Sequence, residues 1–368
     1  MILFQGAPVV NSRARSLTPH RSFRVLVAVA LLAASPAAAR GQLPESTKDL
    51  YNATCAKCHA EDGTGRLPTP TVKNAPMDFT DCPRTTAEPD ADWELVTARG
   101  GPVAGLSSEM PAFGDAFSPE RIRALVQYVR GFCREPAWPL GNLNLPRPLF
   151  TEKAFPENEF LVIPVVSHTA GEAADLRFRA VYERRVSRRA HVEVGVPIAS
   201  VHGEGRRATG LGDTALAAKY VLHTDNVSRI LTAGLEVVVP TGSEHRGLGS
   251  GATGFEPYLA TGFLVGELIL QGQFKMEFPA HEPREIVYNV YAGRNLDTTP
   301  STWTFGVELN GVEKALALTP QVRKPLTRTG ALAAAVGVRV PVANRSSQST
   351  RFAGYLLWEY LDPVRSRP

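Results

Sequence analysis

From about residue 158 to near the end of the chain, apolar and polar residues alternate with a period of two. Leu268, Leu270 and Phe274, for example, stand on the apolar register, and Gln271 and Gln273 stand on the polar one. About twelve such segments, each roughly ten to fourteen residues long, follow one another without a helix-like stretch between them. Their approximate centres are residues 163, 179, 195, 217, 234, 258, 273, 290, 307, 320, 335 and 355. This pattern predicts antiparallel strands that present one apolar and one polar face.

The connectors between these segments differ in length in a regular way. Long ones occur at 201–210, 241–252 and 342–349, and tight ones near 185–188, 265–266 and 325–328. If the first strand ascends from the periplasm, the long loops fall on the outer face. Aromatic residues lie toward the segment ends on the apolar register: Tyr182, Tyr220, Phe278, Tyr288, Trp303 and Tyr360. We therefore expect an outer-membrane β-barrel of about twelve strands over residues 158–361, with a soluble antiparallel sandwich as the alternative.

Residues 42–135 have a helical period instead. Ser118 suits a helix N-cap and Pro119 the first helical position, and an apolar stripe follows at i, i+3, i+4 and i+7. The stripe consists of Ile122, Leu125, Val126 and Val129. A middle helix containing Trp93 is expected to end at Gly100. The predicted fold is thus two-domain, with an all-α domain followed by an all-β antiparallel barrel.

The segment 136–157 carries five prolines and little periodicity. It is predicted to be a proline-rich linker, a semi-stiff and partly extended spacer. Trp138 and Phe150 could pin it to a neighbouring surface. Residues 362–368 form a short basic tail.

A secretory signal peptide is predicted at residues 1–41. Four arginines between positions 13 and 24 precede the apolar run 25–34, and small residues follow at 37–39. The run is too short to span a bilayer, although a retained anchor is the alternative. Those four arginines account for the whole formal charge of +4, and the rest of the chain is neutral. A nucleic-acid partner is therefore not expected.

The sequence Cys55-Ala56-Lys57-Cys58-His59 has the spacing C-x-x-C-H. At this spacing two thiols can form thioethers with one haem, and the histidine that follows can bind its iron. A zinc site would need a second ligand pair, and Cys82 has no neighbouring Cys or His. A thioredoxin-type dithiol is disfavoured by His59. We expect a single covalently bound haem c.

Along its whole length, the segment 44–135 resembles a small class I cytochrome c. The resemblance rests on the haem motif, on the glycine-bearing turn Glu61-Asp62-Gly63-Thr64-Gly65 and on Met110-Pro111-Ala112-Phe113-Gly114. It implies that His59 is the proximal iron ligand and Met110 the distal one. Met77 is the other methionine of the segment, but it follows His59 by only 18 residues. Members often carry glycine after the histidine, where this chain has Ala60. His–Met ligation leaves no open coordination position, so we expect electron transfer and no enzymatic activity.

Two cysteines, Cys82 and Cys133, remain in what should be an oxidising compartment. We expect a disulfide between them, with two free buried thiols as the alternative. Four other histidines, His168, His202, His245 and His281, lack metal-ligand spacing and are predicted to be solvated. We identify no nucleophile and base that would form a catalytic site.

The stretch Gly210-Leu211-Gly212-Asp213-Thr214, with Pro240-Thr241-Gly242 after the next strand, resembles outer-membrane barrels of the phenol-degradation meta-pathway type. This likeness implies a porin-like architecture and identifies no solute.

Three functions are then open. The first is a monohaem electron-transfer protein whose cytochrome domain is periplasmic and anchored by the barrel in outer-membrane lipid, with a periplasmic redox partner protein. The second is a channel for a small solute that the cytochrome domain gates or plugs. The third is a wholly periplasmic electron carrier with a soluble β docking domain.

Overall fold

The computed structural model describes residues 46–135, 138–168, 175–203, 206–279, 281, 283–297, 302–344 and 349–360. The predicted signal peptide, 1–41, and the tail, 362–368, lie outside these residues. Residues 44–368 belong to one compact unit. Within it, a helical region precedes a large sheet.

The helical region contains five helices among the described residues; Cys55 alone separates the first two, and irregular segments join the others. They are α1 Thr47–Thr54, α2 Ala56–His59, α3 Cys82–Thr85, α4 Asp90–Arg99 and α5 Pro119–Arg130. The caps match the sequence, since Ser46 accepts from the Asp49 amide and Ser118 from the Arg121 amide. Among the described residues, no helix combines the length and the apolar character needed to cross a membrane.

The core of the helical region forms where α1 meets α5. Tyr51 on α1 is fully buried, and its ring centroid lies 5.2 Å from those of both Tyr128 and Phe132. The predicted stripe of α5 faces this core, because Ile122, Leu125, Val126 and Val129 are all buried. The middle helix also ends as predicted, with Gly100 following Arg99.

The sheet contains thirteen strands in chain order. They are β1 Glu159–His168, β2 Asp175–Arg185, β3 Ala190–Gly203, β4 Arg206–Leu211, β5 Thr214–Thr224, β6 Arg229–Val239, β7 Gly254–Val265, β8 Leu268–Glu277, β9 Glu285–Asn295, β10 Thr304–Val312, β11 Ala315–Pro325, β12 Leu332–Ala343 and β13 Thr350–Glu359. Every pairing is antiparallel, and β13 pairs with β1, so the sheet closes on itself.

The barrel wall has twelve staves because β4 and β5 share one position. β5 pairs with the first half of β3, and β4 pairs with its second half. The prediction of an antiparallel barrel of about twelve strands is therefore confirmed. The predicted long connector at 201–210 is wrong, because β3 and β4 continue through most of it as an antiparallel hairpin. Here the two strands stay hydrogen-bonded beyond the point where the alternation of apolar and polar residues, on which the prediction was based, comes to an end.

The predicted contrast between long and tight connections holds only in part. One rim of the barrel, here called the inner rim, carries the turns 186–189, 225–228, 266–267 and 326–331, together with the start of β1 and the end of β13. At the opposite, outer rim, β10 and β11 are joined by Glu313 and Lys314 alone, with Glu313 at φ 50°. A two-residue hairpin needs such a left-handed position.

The two faces of the wall differ as a membrane barrel requires. On β13, Phe352, Leu356 and Trp358 point outward and are 53%, 46% and 42% exposed, whereas Tyr355 and Leu357 between them are buried inside. The outward-facing positions of other strands are likewise large and apolar. A soluble sandwich would bury this surface, so the sandwich alternative, and with it the soluble docking domain, is wrong.

Candidate haem site and barrel lumen

The C-x-x-C-H residues occupy the end of α1 and the single turn of α2. Cys55 joins the two helices, and neither Cys55 nor Cys58 is in a disulfide. Thr71 donates a hydrogen bond to the Lys57 carbonyl at 2.8 Å, which ties the following loop to this turn. Ala60 ends α2 at φ 60°, a conformation that favours glycine. The alanine therefore occupies the place where related cytochromes often have glycine, at some cost in backbone strain.

The His59 imidazole is oriented by one main-chain oxygen and one ring. Its Nδ1–H donates to the Met77 carbonyl at 3.3 Å, and its ring stacks on Phe79 with centroids 4.4 Å apart. Burial lowers the pKa of His59, which favours the neutral form. With the proton on Nδ1, the Nε2 lone pair is available to a metal. Sequence reasoning missed both partners, because an irregular loop supplies them.

This arrangement also places Met77. Its carbonyl lies on the Nδ1 edge of His59, the edge that faces away from the lone pair, and the residue is 43% exposed. A distal ligand must come from the opposite side of a haem, so the main-chain contact speaks against Met77 in that role.

Met110 lies in a loop folded tightly against the end of α4. The Gly101 amide donates to the Met110 carbonyl at 3.0 Å, and the Phe113 amide donates to the Thr97 carbonyl at 3.0 Å. A Cβ at Gly101 would lie 2.1 Å from the Ser107 carbonyl oxygen, so the turn requires glycine. The loop is thus preorganised. The role of Met110 as a ligand stays a prediction.

Taken together, these residues fit a c-type haem. Two unpaired thiols stand three positions apart on one helical turn, and a neutral imidazole with a fixed tautomer follows them. Burial raises the pKa of the Cys55 thiol, as an apolar surrounding does. The remaining cysteines are accounted for, since Cys82 and Cys133 form a disulfide with a Cα–Cα distance of 5.2 Å. That bond ties α3 to the segment after α5.

Arg130 organises the face of the helical region that meets the rest of the chain. It forms an ion pair with Asp90 at 2.8 Å, donates to the Thr85 and Glu88 carbonyls and lies 4.6 Å from the Trp93 ring centroid. Asp92, two residues along α4, has no such pairing in the described part of the chain. Burial raises its pKa to about 7, although Arg130 opposes the shift.

The helical region is held against the inner rim by several contacts. Asn142 accepts from the Asp90 amide at 2.8 Å, and Leu140 donates to the Asn226 side chain at 3.2 Å. A Cβ at Gly105, in the loop before Met110, would lie 3.3 Å from the Arg328 Cβ. The predicted haem domain is therefore docked at the rim.

The predicted linker does not behave as a spacer. Its residues 140–157, here called the lumen segment, enter the barrel at the inner rim, cross its interior and return to the start of β1. Phe155 and Leu143 are 1% exposed and pack on the inward-facing Val221 and Ile230. One of the three functions considered above was a channel that the cytochrome domain plugs. In the structure, the lumen segment occupies the barrel interior instead of that domain.

Glu308, midway along β10, is the main anchor of the lumen segment. Its carboxylate accepts from the amides of Leu149, Phe150 and Thr151 at 2.7–3.2 Å, and from the Thr151 hydroxyl at 2.6 Å. Gln321 donates to the same carboxylate. A buried carboxylate with this many donors is well satisfied, and its loss would leave several amides without an acceptor.

Charged pairs hold the rest of the segment. Arg147 bonds to Glu159 at 3.1 Å and to Glu183 at 2.5 Å. Lys219 bonds to Glu152 at 2.9 Å, and Lys153 to Glu159 at 3.2 Å. Many of the inward-facing polar residues that the sequence pattern predicted therefore bind the chain itself.

Further polar contacts come from around the wall. The Pro146, Phe150 and Ala154 carbonyls accept from Gln271, Asn289 and Thr232. His191 accepts from the Glu157 amide at 3.1 Å and is fully buried, unlike the exposed His168, His245 and His281. The sequence offered one clue to this packing: the linker carries as many charges and large apolar residues as a folded segment does.

The glycine-rich barrel motif has a structural role at the outer rim. Asp213, between β4 and β5, accepts from the amides of Gly242 at 2.9 Å and Ser250 at 2.6 Å. Thr241 bonds to Thr214 at 2.9 Å. The two parts of the motif therefore join, and they fix the loop between β6 and β7.

Comparison with known proteins divides the chain in the same way. The family model "Cytochrome C oxidase, cbb3-type, subunit III" matches residues 42–129, and "Putative MetA-pathway of phenol degradation" matches residues 167–355. No curated protein matches the chain.

Several solved outer-membrane proteins are similar to the barrel. A KdgM porin is 12% identical, with 55% of this chain and 99% of that chain covered and a TM-score of 0.41. A NanC porin is 8% identical, with 54% and 98% covered and a TM-score of 0.39. A bacterial polysaccharide outer membrane secretin is 10% identical, with 55% and 98% covered and a TM-score of 0.33.

Proposed function

Because the chain belongs to the family described as putative MetA-pathway of phenol degradation and carries a cytochrome c domain before its barrel, we propose that it is an electron-transfer protein of the outer membrane. One haem c is bound covalently through Cys55 and Cys58. His59 and Met110 would hold its iron. The barrel anchors this haem at the membrane.

The observation that carries the haem assignment is the hydrogen bond from His59 Nδ1 to the Met77 carbonyl. It fixes the tautomer and leaves the Nε2 lone pair available to an iron, on the residue that directly follows the two free thiols in the sequence. A haem with His–Met ligation supplies reversible one-electron chemistry at a raised reduction potential. The chain's own residues hold the ligand atoms, exclude water through the Tyr51 and Phe132 packing, and leave no position for substrate.

The position of the helical region, from here on called the haem region, supports a periplasmic site of electron exchange. The helical region and both ends of the lumen segment lie at the inner rim, which we assign to the periplasm. A hydrocarbon core about 30 Å thick separates this rim from the outer face, which one haem does not bridge. Electrons therefore enter and leave through soluble redox partner proteins on the periplasmic side.

The test is spectroscopic and uses the exported full-length protein. The purified chain should show a Soret band that stays with the polypeptide after extraction with acidified organic solvent, and the pyridine haemochrome should report one haem per chain. Cys55→Ser with Cys58→Ser should lose the covalent haem, whereas Cys82→Ser with Cys133→Ser should retain it. Haem that washes out of the wild type would overturn the proposal.

A further inference from the structure

Beyond electron transfer, the outer half of the barrel presents an unassigned group of arginines. Arg339 lies on β12, Arg351 on β13 and Arg177 on β2, all on inward-facing registers. Arg339 is directly opposite Arg351, and only β1 separates Arg351 from Arg177. These three residues, here called the arginine wall, lie in the halves of their strands that are farther from the inner rim.

The arginine wall is short of negative partners. In the described residues, none of the three guanidinium groups forms a hydrogen bond or an ion pair. Arg339 is 9% exposed, and its guanidinium lies 5.5 Å from the ring centroid of Phe150 at the tip of the lumen segment. Among the described acids, Glu308 already accepts several hydrogen bonds, and Asp175 lies in the same cross-strand row as Arg351. Like charges on directly opposite residues destabilise a sheet unless something else lies between them.

The facing side of the lumen has the opposite excess. Glu236, Glu256 and Glu277 lie on β6, β7 and β8, and Lys275 bonds to Glu256 at 2.5 Å and to Glu277 at 2.6 Å. Arg179 bonds to Glu236 at 2.9 Å. Among the described residues, Lys275 and Arg179, the latter on β2, thus pair with these three carboxylates, here called the acidic wall. A transverse field therefore crosses the outer lumen, from the arginine wall to the acidic wall.

The lumen segment turns this part of the barrel into a cup. Phe150 lies beneath Arg339, and the Glu152 amide donates to Gln273 at 3.1 Å, so the segment reaches both sides at this level. Below this level the segment packs against inward-facing residues of the wall. Of the three arginines, Arg177 is the one whose side chain is exposed.

We propose that this cup is a binding site for a small water-soluble oxyanion, a polycarboxylate or a phosphate compound, approached from the outer rim. The planar donors of arginine suit carboxylate and phosphate oxygens, and adjacent guanidinium groups gain most from a ligand with more than one negative group. Because the arginines face the interior, lipid phosphates do not reach them. The acidic wall orients the ligand, since its negative groups must lie toward the arginine wall.

The test is calorimetric titration of the full-length protein in neutral detergent, with citrate and inorganic phosphate as probes at constant ionic strength. We expect saturable binding that Arg351→Gln weakens about tenfold, the loss expected for one charge-assisted hydrogen bond. Arg339→Gln with Arg351→Gln should remove it. Arg294 is an exposed arginine on the outside of the barrel wall, away from the lumen. Arg294→Gln is therefore the matched control and should leave the affinity within about twofold.

A second variant separates binding from folding. Glu277→Gln removes one negative charge from the acidic wall and should tighten citrate binding several-fold, a gain that damage to the fold would not produce. Citrate that does not saturate with the wild type would overturn the proposal, as would equal affinity in Arg351→Gln and wild type. None of these readouts depends on the haem.

Discussion

At the scale of single residues, the two methionines of the haem region contribute different groups to the candidate site. Met77 contributes its carbonyl to His59, whereas Met110 lies in a loop that glycines at 100 and 101 allow to close. The side chain of Met77 can therefore change without disturbing the imidazole. The side chain of Met110 is the one that the proposed function needs.

This difference predicts the behaviour of a matched pair of variants. Met110→Leu should remove the far-red absorption of a thioether–iron bond and lower the reduction potential by about 100 mV or more, within the ~0.8 V that axial ligands span. Met77→Leu should change neither, because a leucine keeps the carbonyl. Potentiometric titration followed in the visible spectrum measures both. A loss of the band in Met77→Leu alone would reverse the assignment.

Asp92 makes a separate prediction about pH. Its folded-state pKa of about 7 lies above the ordinary value of 3.8, so the folded state binds a proton that the unfolded state releases. Stability should therefore fall as the pH rises from about 4 to about 7. Asp92→Asn should leave stability near pH 4 unchanged and raise it near pH 8 by roughly 2 kcal/mol, less than the full shift implies because the side chain is only half-buried. Urea unfolding followed at the Soret band measures this. Equal effects at both pH values would contradict it.

At the scale of elements, α5 connects the core of the helical region to the surface that meets the barrel. One face carries the buried apolar stripe, and Arg130 at its end binds α4 and the segment around Thr85. The disulfide reinforces the same junction. The helix therefore fixes the position of the core of the helical region relative to the inner rim.

Two arginines on α5 allow this role to be measured. The Arg130–Asp90 pair is largely buried, whereas the Arg123–Glu120 pair is mostly exposed. Arg130→Gln should lower the free energy of unfolding of the haem region by about 3 kcal/mol, since it leaves Asp90 and two carbonyls short of a donor. Arg123→Gln should change it by less than about 0.5 kcal/mol. Comparable losses in the two variants would refute this account.

The elements also show what the sequence could and could not predict. Alternation with a period of two located the twelve staves, and capping residues located α5, because both signals are local. The lumen segment was not predicted, since its partners are single residues on distant strands, such as Glu308 and Lys219. A polar register indicates that a face avoids lipid, but it does not distinguish water from another part of the chain. The contact of Met77 with His59 was missed for the same reason.

At the scale of the whole molecule, the lumen segment occupies the interior of the barrel, and we expect it to close the barrel as a pore. Its contacts reach inward-facing residues on opposite sides of the barrel, from Glu183 on β2 to Glu308 on β10. The lumen segment therefore lies between the cup, inside the barrel, and the helical region at the inner rim.

Closure predicts the electrical behaviour of the protein. Full-length wild type in a planar bilayer should show no sustained conductance. Glu308→Ala removes the acceptor of three consecutive amides and should produce openings, because each lost bond to a charged group costs about 1.5–3 kcal/mol. Glu256→Gln changes a lumen carboxylate that lies away from the segment, and should stay closed. A permanently open wild type would exclude the closure.

Both ends of the lumen segment leave the barrel at the same rim, between Asn226 and the first residue of β1. The segment is thus a loop that enters and leaves the barrel at one rim, and it does not pass between strands of the wall. Traction applied to the amino-terminal part of the molecule, as in a single-molecule force experiment, should therefore draw this loop out first. The barrel would remain intact until its seam between β1 and β13 begins to unzip.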